Sequence, residues 1–341
     1  LLQCIHNGFG LQTFKEDLPG PEYAQRFINE ARAVGVEFLL DTMVMDLTPQ
    51  RRLHLSSRQY GYFTLDARAV VLAMGCRERT RAQIRIPGMR PNGVFTAGTA
   101  QRWVNVEGYM PGKNFVILGS GDIGMIMARR LTFEGAKVSR VLEIQSYLSG
   151  LSRNYVQCLQ DWDIPLQLQH TIKRVIGKNR VEAVETVAVD DHWNFVPGSE
   201  EIIPCDTLLL SVGLIPENEL SKKAGVMLGL ENTLSAEQNL DILSRVKSSA
   251  VRVYYDVGNS TANGYDVPGE IRLLGDRICQ IHFKDNKGHL GEGEVNMNAV
   301  AEAMRAIAYA GWVVLETKVL GDREADFKRN AAFSRALLAN A

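Results

Sequence analysis

The sequence predicts an α/β chain made of two successive regions, and three observations predict it. Strand-type and helix-type apolar runs alternate along most of the 341 residues, the pattern of strands crossed over by helices. A glycine cluster at residues 119–124 stands between one such strand and the helix after it. Beyond about residue 225, four strand-like runs each end in a carboxylate or a histidine, at roughly the 30-residue repeat of a (β/α)8 barrel.

Bulk properties narrow the classes. Apolar residues make up 45% of the chain and charged residues 23%, the balance of a protein that buries a core. A length of 341 residues fits about two domains. The formal net charge of −1 gives no field to gather nucleic acid or an anionic membrane. The longest apolar runs, 69–74 and 208–212, are strand-length, far short of the ~18 residues of a membrane span. No signal-peptide pattern opens the sequence. The expected partners are small-molecule substrates, not nucleic acid or membrane. Cys4, Cys76, Cys158, Cys205 and Cys279 are scattered, with no C-x-x-C to suggest a zinc ribbon or a paired dithiol. An odd, dispersed set fits a reducing, cytoplasmic setting. Leu1 leads straight into what reads as the middle of a domain, so the chain is expected to begin inside one.

Residues 22–34 read as a helix, with Ala24, Phe27, Ile28, Ala31 and Val34 on its apolar face. Residues 36–40 and 69–72 read as strands, and 44–65 as an antiparallel excursion between them. A strand at 114–118 leads into the glycine cluster and a helix at 122–134, with Ile123, Met127 and Leu131 on one face. Gly135 ends that helix, as a residue free to take positive φ does. Strands follow at 137–142 and 207–212. From residue 225 the pattern becomes four strand-then-helix units, their strands at 225–231, 251–256, 279–282 and 312–316. The change falls within 222–230, without a proline- or serine-rich linker.

Gly119-Ser120-Gly121-Asp122-Ile123-Gly124 is G-x-G-x-x-G, a weak signal by itself. Here a strand precedes it, a helix opens within it, Ala128 keeps that helix thin, and Glu143 closes the next strand 24 residues after Gly119. Gly119 permits the tight turn, Gly121 lets a pyrophosphate approach the backbone, and Gly124 lets helix and strand touch. The helix N-terminus offers free N–H groups and a positive dipole end to phosphate. Glu143 can accept hydrogen bonds from a ribose 2′-hydroxyl and would repel a 2′-phosphate, which favours NAD over NADP.

Two further runs, 69–75 ending in Gly75 and LLLSVGLIP at 208–216 containing Gly213, extend the pattern. With CIHNGFG, AMGCRERTR, LGSGDIG and LLLSVGLIPENE, residues 1–225 resemble the pyridine nucleotide-disulfide oxidoreductase superfamily of FAD/NAD-dependent oxidoreductases. The resemblance implies a Rossmann-like, two-dinucleotide-binding flavoprotein fold. An NAD domain at 105–204 would interrupt a partial FAD domain at 1–104 and 205–224. It also implies that the Gly75 and Gly213 segments lie against the flavin and that hydride passes between nicotinamide and flavin N5. The family's opening strand–G-x-G-x-x-G–helix for FAD has no counterpart here, so the fold is expected to be N-terminally incomplete. Cys4 has no cysteine at short spacing, and the expectation for Cys4 and Cys76 is that of small buried residues.

In the second region Glu231, Asp256, His282 and Glu316 each stand at one strand end. At such spacing, side chains at the C-terminal ends of barrel strands converge on one mouth. Three carboxylates and one imidazole make an oxygen-rich site for a divalent metal, Mn²⁺ or Co²⁺ more than Mg²⁺. Taken singly, each has a plainer reading, as a helix cap, a solvated carboxylate or a satisfied core histidine.

With LGLENTLS, YYDVGNS, QIHFKD, LGEGEV and YAGWVVLE, residues 225–341 resemble the sugar phosphate isomerase/epimerase group of xylose isomerase-like (AP endonuclease 2 type) TIM barrels. The resemblance implies that Glu231, Asp256, His282 and Glu316 hold the metal, that Glu231 and Glu316 move a proton beside a carbonyl, and that Glu237 binds substrate. Asn259 stands where the family often has a substrate histidine, and Lys287 and Gly288 where several members carry an arginine. Only the last four strand–helix units are represented. This half barrel is expected to pair with a second copy, with the oxidoreductase region, or with nothing. Four functional readings stand: an oxidoreductase fused to a working isomerase-like half barrel, an oxidoreductase whose barrel piece is only a folding or docking partner, isomerase or epimerase activity alone, or a non-catalytic relic or chimera of the two.

Overall fold

The computed structural model of the protein describes residues 3–339; Leu1, on which the expected start inside a domain was read, lies outside them. Two compact units are present, residues 1–40 with 73–217, and residues 41–72 with 218–341. In chain order the elements begin with α1 (Gly20–Ala33), β1 (Thr42–Leu47), β2 (Arg52–Ser57), β3 (Gly61–Asp66), β4 (Cys76–Glu78), β5 (Val94–Thr96), α2 (Ala97–Arg102), β6 (Asn114–Leu118), α3 (Asp122–Phe133) and β7 (Lys137–Leu142). Next come α4 (Ser152–Cys158), β8 (Leu166–Gln167), β9 (His170–Ile176), β10 (Ala183–Ala188), β11 (Glu201–Pro204), β12 (Thr207–Leu210), β13 (Leu214–Pro216), α5 (Glu219–Lys223), β14 (Leu228–Leu230) and α6 (Ala236–Val246). The chain ends through β15 (Val251–Asp256), α7 (Val257–Ala262), α8 (Val267–Leu274), β16 (Ile278–Phe283), α9 (Met297–Ala306), β17 (Trp312–Leu315) and α10 (Arg323–Ala339).

The first unit is organised by a parallel sheet of order β5-β12-β6-β7-β8. A parallel sheet needs cover on both faces, which is why β6 and β12 read as unbroken apolar runs. Successive side chains go to opposite faces. Phe115 and Ile117 pack with Ala97, Ala100, Met125, Ala128 and Leu131 of α2 and α3. Val116 and Leu118 pack with Ile172, Val175, Val184 and Ile203 from the antiparallel sheet β11-β10-β9. Burying each such side chain contributes about 1.5–3 kcal/mol. Ile117→Ala, at a site with no solvent exposure, should cost about 2–5 kcal/mol. β12 inserts between β5 and β6 in this sheet, so residues on both sides of the expected domain edges at 105 and 205 contribute strands to it.

The strands expected at 36–40 and 69–72 do not form. A strand exists only where a second segment pairs with it in a ladder, and among the described residues no ladder or bridge includes either segment. Their side chains are accordingly open, Leu40 at 72% exposure and Val71 at 90%.

In the second unit the four expected strands form a parallel sheet of order β14-β15-β16-β17. Val253, Tyr255, Ile281, Phe283, Val313 and Leu315 face a core built with α6, α8, α9 and α10. Strand alternation therefore turns Tyr254, Asp256, His282 and Glu316 to the other side. Ser235 and Gln238 close a capping box at the start of α6. Buried Glu270 of α8 accepts from the Ala236 N–H at 2.7 Å and the Tyr255 hydroxyl at 2.6 Å, tying β15, α6 and α8 together. The excursion expected at 44–65 is the antiparallel meander β1-β2-β3 of the same unit, where Asp46 pairs with Lys223 at 3.1 Å. No helix among the described residues is long and apolar enough to cross a membrane.

Candidate functional sites

The glycine loop sits between β6 and α3, where the sequence pattern puts it. Its three glycines differ in what holds them. Gly119 has φ +105°, and a Cβ there would lie 2.1 Å from the Ser211 carbonyl oxygen. A Cβ at Gly124 would lie 2.6 Å from the Gly119 oxygen and 2.9 Å from Ser211 Cβ. At Gly121 nothing comes closer than 3.9 Å. The fold requires glycine at the first two positions, whereas at Gly121 the protein leaves open space at the head of α3. Helix N–H groups end unpaired at such a head.

Glu143 follows β7 and is buried. Its Oε2 accepts from the Ser120 N–H at 3.0 Å, the Ser120 hydroxyl at 2.7 Å and the Ser149 hydroxyl at 2.8 Å, and its Oε1 from the Gln145 N–H at 3.0 Å. Burial pushes the carboxyl pKa up, but these bonds outweigh it and hold the group below the usual carboxylate range. Asp122 adds a second tie, accepting from the Leu151 N–H at 2.9 Å and Asn154 Nδ2 at 2.8 Å. Gly150 lets this loop lie close, since a Cβ there would meet Met125 Cε at 2.6 Å. The sequence reading missed Ser120, Ser149, Gly150 and Ser211. The Ser-Gly pair after β7 is the turn signal that marks where to look.

The Gly75 and Gly213 segments do come together. β4 and β13 pair antiparallel with Cys76 opposite Pro216. The Arg79 N–H donates to Gly213 O at 3.1 Å, and the Glu217 N–H to Gly75 O at 3.3 Å. Both glycines have positive φ, +70° and +100°, and a Cβ on Gly75 would meet nothing within 4 Å. Cys76 is exposed and Cys4 half-buried, so the expectation of two buried cysteines is corrected for Cys76 and met only in part by Cys4.

In the second unit Glu231, Asp256, His282 and Glu316 each contribute one ligand atom to a group whose atoms all lie within 4.8 Å of one another. His282 Nδ1 faces all three carboxylates, 3.0 Å from Glu231 Oε1, 3.4 Å from Glu316 Oε2 and 3.6 Å from Asp256 Oδ2. The β15–β16 register sets Asp256 opposite His282. The His282 ring packs against Tyr254 with centroids 4.3 Å apart. Burial first, and then the Glu231 charge, push the Tyr254 phenol up to about 12. Asp256 Oδ1 accepts from the Asn259 N–H at 2.8 Å, while its buried Oδ2 has no hydrogen-bond partner among the described residues. A buried carboxylate oxygen without a donor is costly, and a cation is the ligand it suits.

Lys284, two residues past His282 and missed by the sequence reading, reaches the same cluster. Its Nζ is 3.2 Å from Glu316 Oε1 and 3.6 Å from Asp256 Oδ2. Burial works against the charge, but the Glu316 hydrogen bond and the two carboxylates raise the ammonium's pKa. Glu237 is not one of the four clustered residues. It lies exposed in the first turn of α6, where its own backbone N–H first, and then the Ser235 hydroxyl at 2.9 Å, hold its carboxyl below the usual range.

Comparison with known proteins adds to this geometry. The model of the pyridine nucleotide-disulphide oxidoreductase family matches residues 4–245. The model of the xylose isomerase-like TIM barrel matches residues 218–337. The two matches overlap across α5, β14 and most of α6. An opine oxidase subunit of Agrobacterium tumefaciens (strain Ach5) is 27% identical over 220 residues, 62% of this chain and 43% of that protein. The opine oxidase subunit of the same name from Rhizobium meliloti is 26% identical over 253 residues, 71% of this chain and 45% of that protein. The chain thus spans less than half the length of these curated relatives. Thioredoxin reductase of T. acidophilum superposes with a TM-score of 0.52 at 20% identity, over 67% of this chain and 69% of that one, a likeness of fold.

Proposed function

We propose, for a chain that belongs to the pyridine nucleotide-disulphide oxidoreductase family, that the first unit binds NAD at Gly119, Gly121 and Gly124 for hydride exchange with a flavin. The observation that carries this reading is the contrast within the loop: open space over Gly121, and backbone that forbids a side chain at Gly119 and Gly124. Open space above a glycine at a helix head suits a pyrophosphate, which the helix N–H groups and dipole would hold. Glu143, fixed by Ser120 and Ser149, is in this reading the acceptor for a ribose 2′-hydroxyl, and its negative charge disfavours a 2′-phosphate. Gly75 and Gly213, drawn together by β4 and β13, offer a wall for the flavin ring. That wall is the part of an FAD site these residues fit, since Gly119–Gly124 is the one G-x-G-x-x-G in the chain. The bound cofactors supply the redox chemistry, and the chain's share is to hold and orient them.

Titration of the protein with NADH, read by fluorescence, tests this. Saturable binding, lost in Gly121→Val and at least about tenfold weaker for NADPH, is the expected result. Binding that survives Gly121→Val would overturn it.

The second unit supports a second reading, a divalent-cation site with isomerase- or epimerase-type proton transfer. The unpartnered Asp256 Oδ2 carries it. The Asp256 side chain has no exposure and that of His282 11%, which suits them to anchor an Mn²⁺, Co²⁺ or Mg²⁺ ion. Glu231 and Glu316 are 38% and 49% exposed and so can also reach a substrate. In this reading one of them takes a proton from the carbon beside a carbonyl and the other returns it. The cation, when bound, supplies polarisation of that carbonyl. The substrate class is a sugar or sugar phosphate with a hydroxyl beside the carbonyl. Calorimetric titration with Mn²⁺ should give heat that His282→Ala abolishes. The protein should also exchange solvent deuterium into such a sugar. Heat untouched by His282→Ala would refute the site.

A further inference from the structure

We propose that Lys284 is a resident counter-cation of the carboxylate cluster, competing with a divalent ion for Asp256 and Glu316 and so setting how tightly that ion is held; this rests on the metal reading above. The Lys284 ammonium lies 3.2 Å from Glu316 Oε1 and 3.6 Å from Asp256 Oδ2, so it is shared between two of the four ligand residues. Its path there is built. The stem passes over Gly258 in the first turn of α7, where a Cβ would stand 2.8 Å from Lys284 Cγ and 2.9 Å from Lys284 Cβ. Any other residue at 258 would push the stem aside. A lysine making a casual surface ion pair needs no such groove, and only 22% of this side chain is exposed.

The buried Asp256 Oδ2 points to the same arrangement. It has no hydrogen bond, yet Lys284 Nζ and His282 Nδ1 both stand 3.6 Å away. At that distance charge attraction acts without a hydrogen bond, so the oxygen is steadied and still open to a ligand. Three carboxylates against one ammonium leave two negative charges unmatched, the charge of one divalent ion. The ammonium therefore need not leave when such an ion binds, but it repels the ion at close range in a partly buried site, where screening is weak. The result is a site that favours double over single charge and releases its metal readily.

The test is calorimetric titration of the whole chain with Mn²⁺, on wild type, Lys284→Met, Lys284→Gln and Lys284→Arg, each checked for folding by circular dichroism. The Met and Gln variants should bind Mn²⁺ at least about tenfold more tightly, and the Arg variant within about threefold of wild type. Heat seen only after the charge is removed would support the proposal equally. Met and Gln variants that bind no more tightly than a binding wild type would overturn the role of Lys284 and leave the metal site standing. No heat from any of the four chains would overturn the metal reading and this inference with it.

Discussion

Ser120 gives Glu143 two hydrogen bonds, one from its backbone N–H at 3.0 Å and one from its hydroxyl at 2.7 Å. The second residue of the glycine loop is therefore a brace. It fastens the loop after β6 to the carboxylate after β7, and Ser149 closes the triangle from the next loop, its N–H donating to Ser120 Oγ at 3.0 Å. The carboxylate after β7 thus holds the glycine turn after β6.

That brace makes stability depend on pH. The folded pKa of Glu143 is depressed by its donors, so its contribution is complete above the ordinary carboxylate pKa. It is lost as the pH falls through the lowered folded value. Chemical denaturation between pH 7 and pH 3 should show a shallower acid loss in Glu143→Gln than in wild type. Glu143→Ala at neutral pH should cost about 3 kcal/mol, because it strands buried donors. Parallel acid curves for wild type and Glu143→Gln would contradict this.

The three glycines should separate by phenotype. Gly119→Ala and Gly124→Ala put a Cβ within 2.6 Å of a backbone oxygen and should lower stability by about 1–3 kcal/mol. Gly121→Ala meets nothing nearer than 3.9 Å, so it should melt within about a degree or two of wild type and yet bind NADH at least about tenfold more weakly. Thermal melts paired with NADH titrations decide it. A Gly121→Ala protein that binds normally would show the space to be incidental.

In the second unit the buried Glu270 carboxylate rests on two donors, the Tyr255 hydroxyl at 2.6 Å and the Ala236 N–H at 2.7 Å. Tyr255→Phe keeps the ring and removes one donor, and should cost about 1–3 kcal/mol. Tyr255→Phe combined with Glu270→Gln should cost less than the two single changes added, since they share one bond. A double-mutant cycle in urea measures the coupling. Strict additivity would show the bond to be idle.

What could be read from sequence was what depends on local pattern. The unit β6–glycine loop–α3–β7 stands within a residue of its expected bounds, because strand, turn chemistry and helix period are all written in adjacent residues. Glu231, Asp256, His282 and Glu316 could be named because a strand end is a local feature, and a parallel sheet in register gathers strand ends. Features that depend on distant partners stayed hidden. Apolar runs at 36–40 and 69–72 look like strands, but a strand is a relation between two segments. The insertion of β12 between β5 and β6 leaves no trace in the composition of β12. Ser149 and Lys284 are ordinary polar residues until the fold carries one to Glu143 and the other to Glu316. The exposed Cys76 shows the converse error, a residue type usually buried that sits exposed on a two-stranded ladder.

Ligands should slow hydrogen exchange each at its own site. A ligand that binds only the folded state at a hundred times its dissociation constant stabilises that state by about 2.7 kcal/mol. NADH should therefore protect peptides spanning 119–124 and 144–151, the two loops joined through Ser120, Glu143 and Ser149. Mn²⁺ should protect the ends of β15 and β16. Its most direct reporter is the Asn259 amide, which donates to Asp256 Oδ1 at 2.8 Å and stays bonded only while that carboxylate is held in place. Exchange of the 251–263 peptide, followed by mass spectrometry with and without Mn²⁺, should slow in wild type and stay unchanged in His282→Ala. If the peptide exchanges at the same rate with and without Mn²⁺ in wild type, the cluster of four side chains is a packing arrangement of the ends of β14, β15, β16 and β17, and the proton-transfer reading of the second unit goes with it.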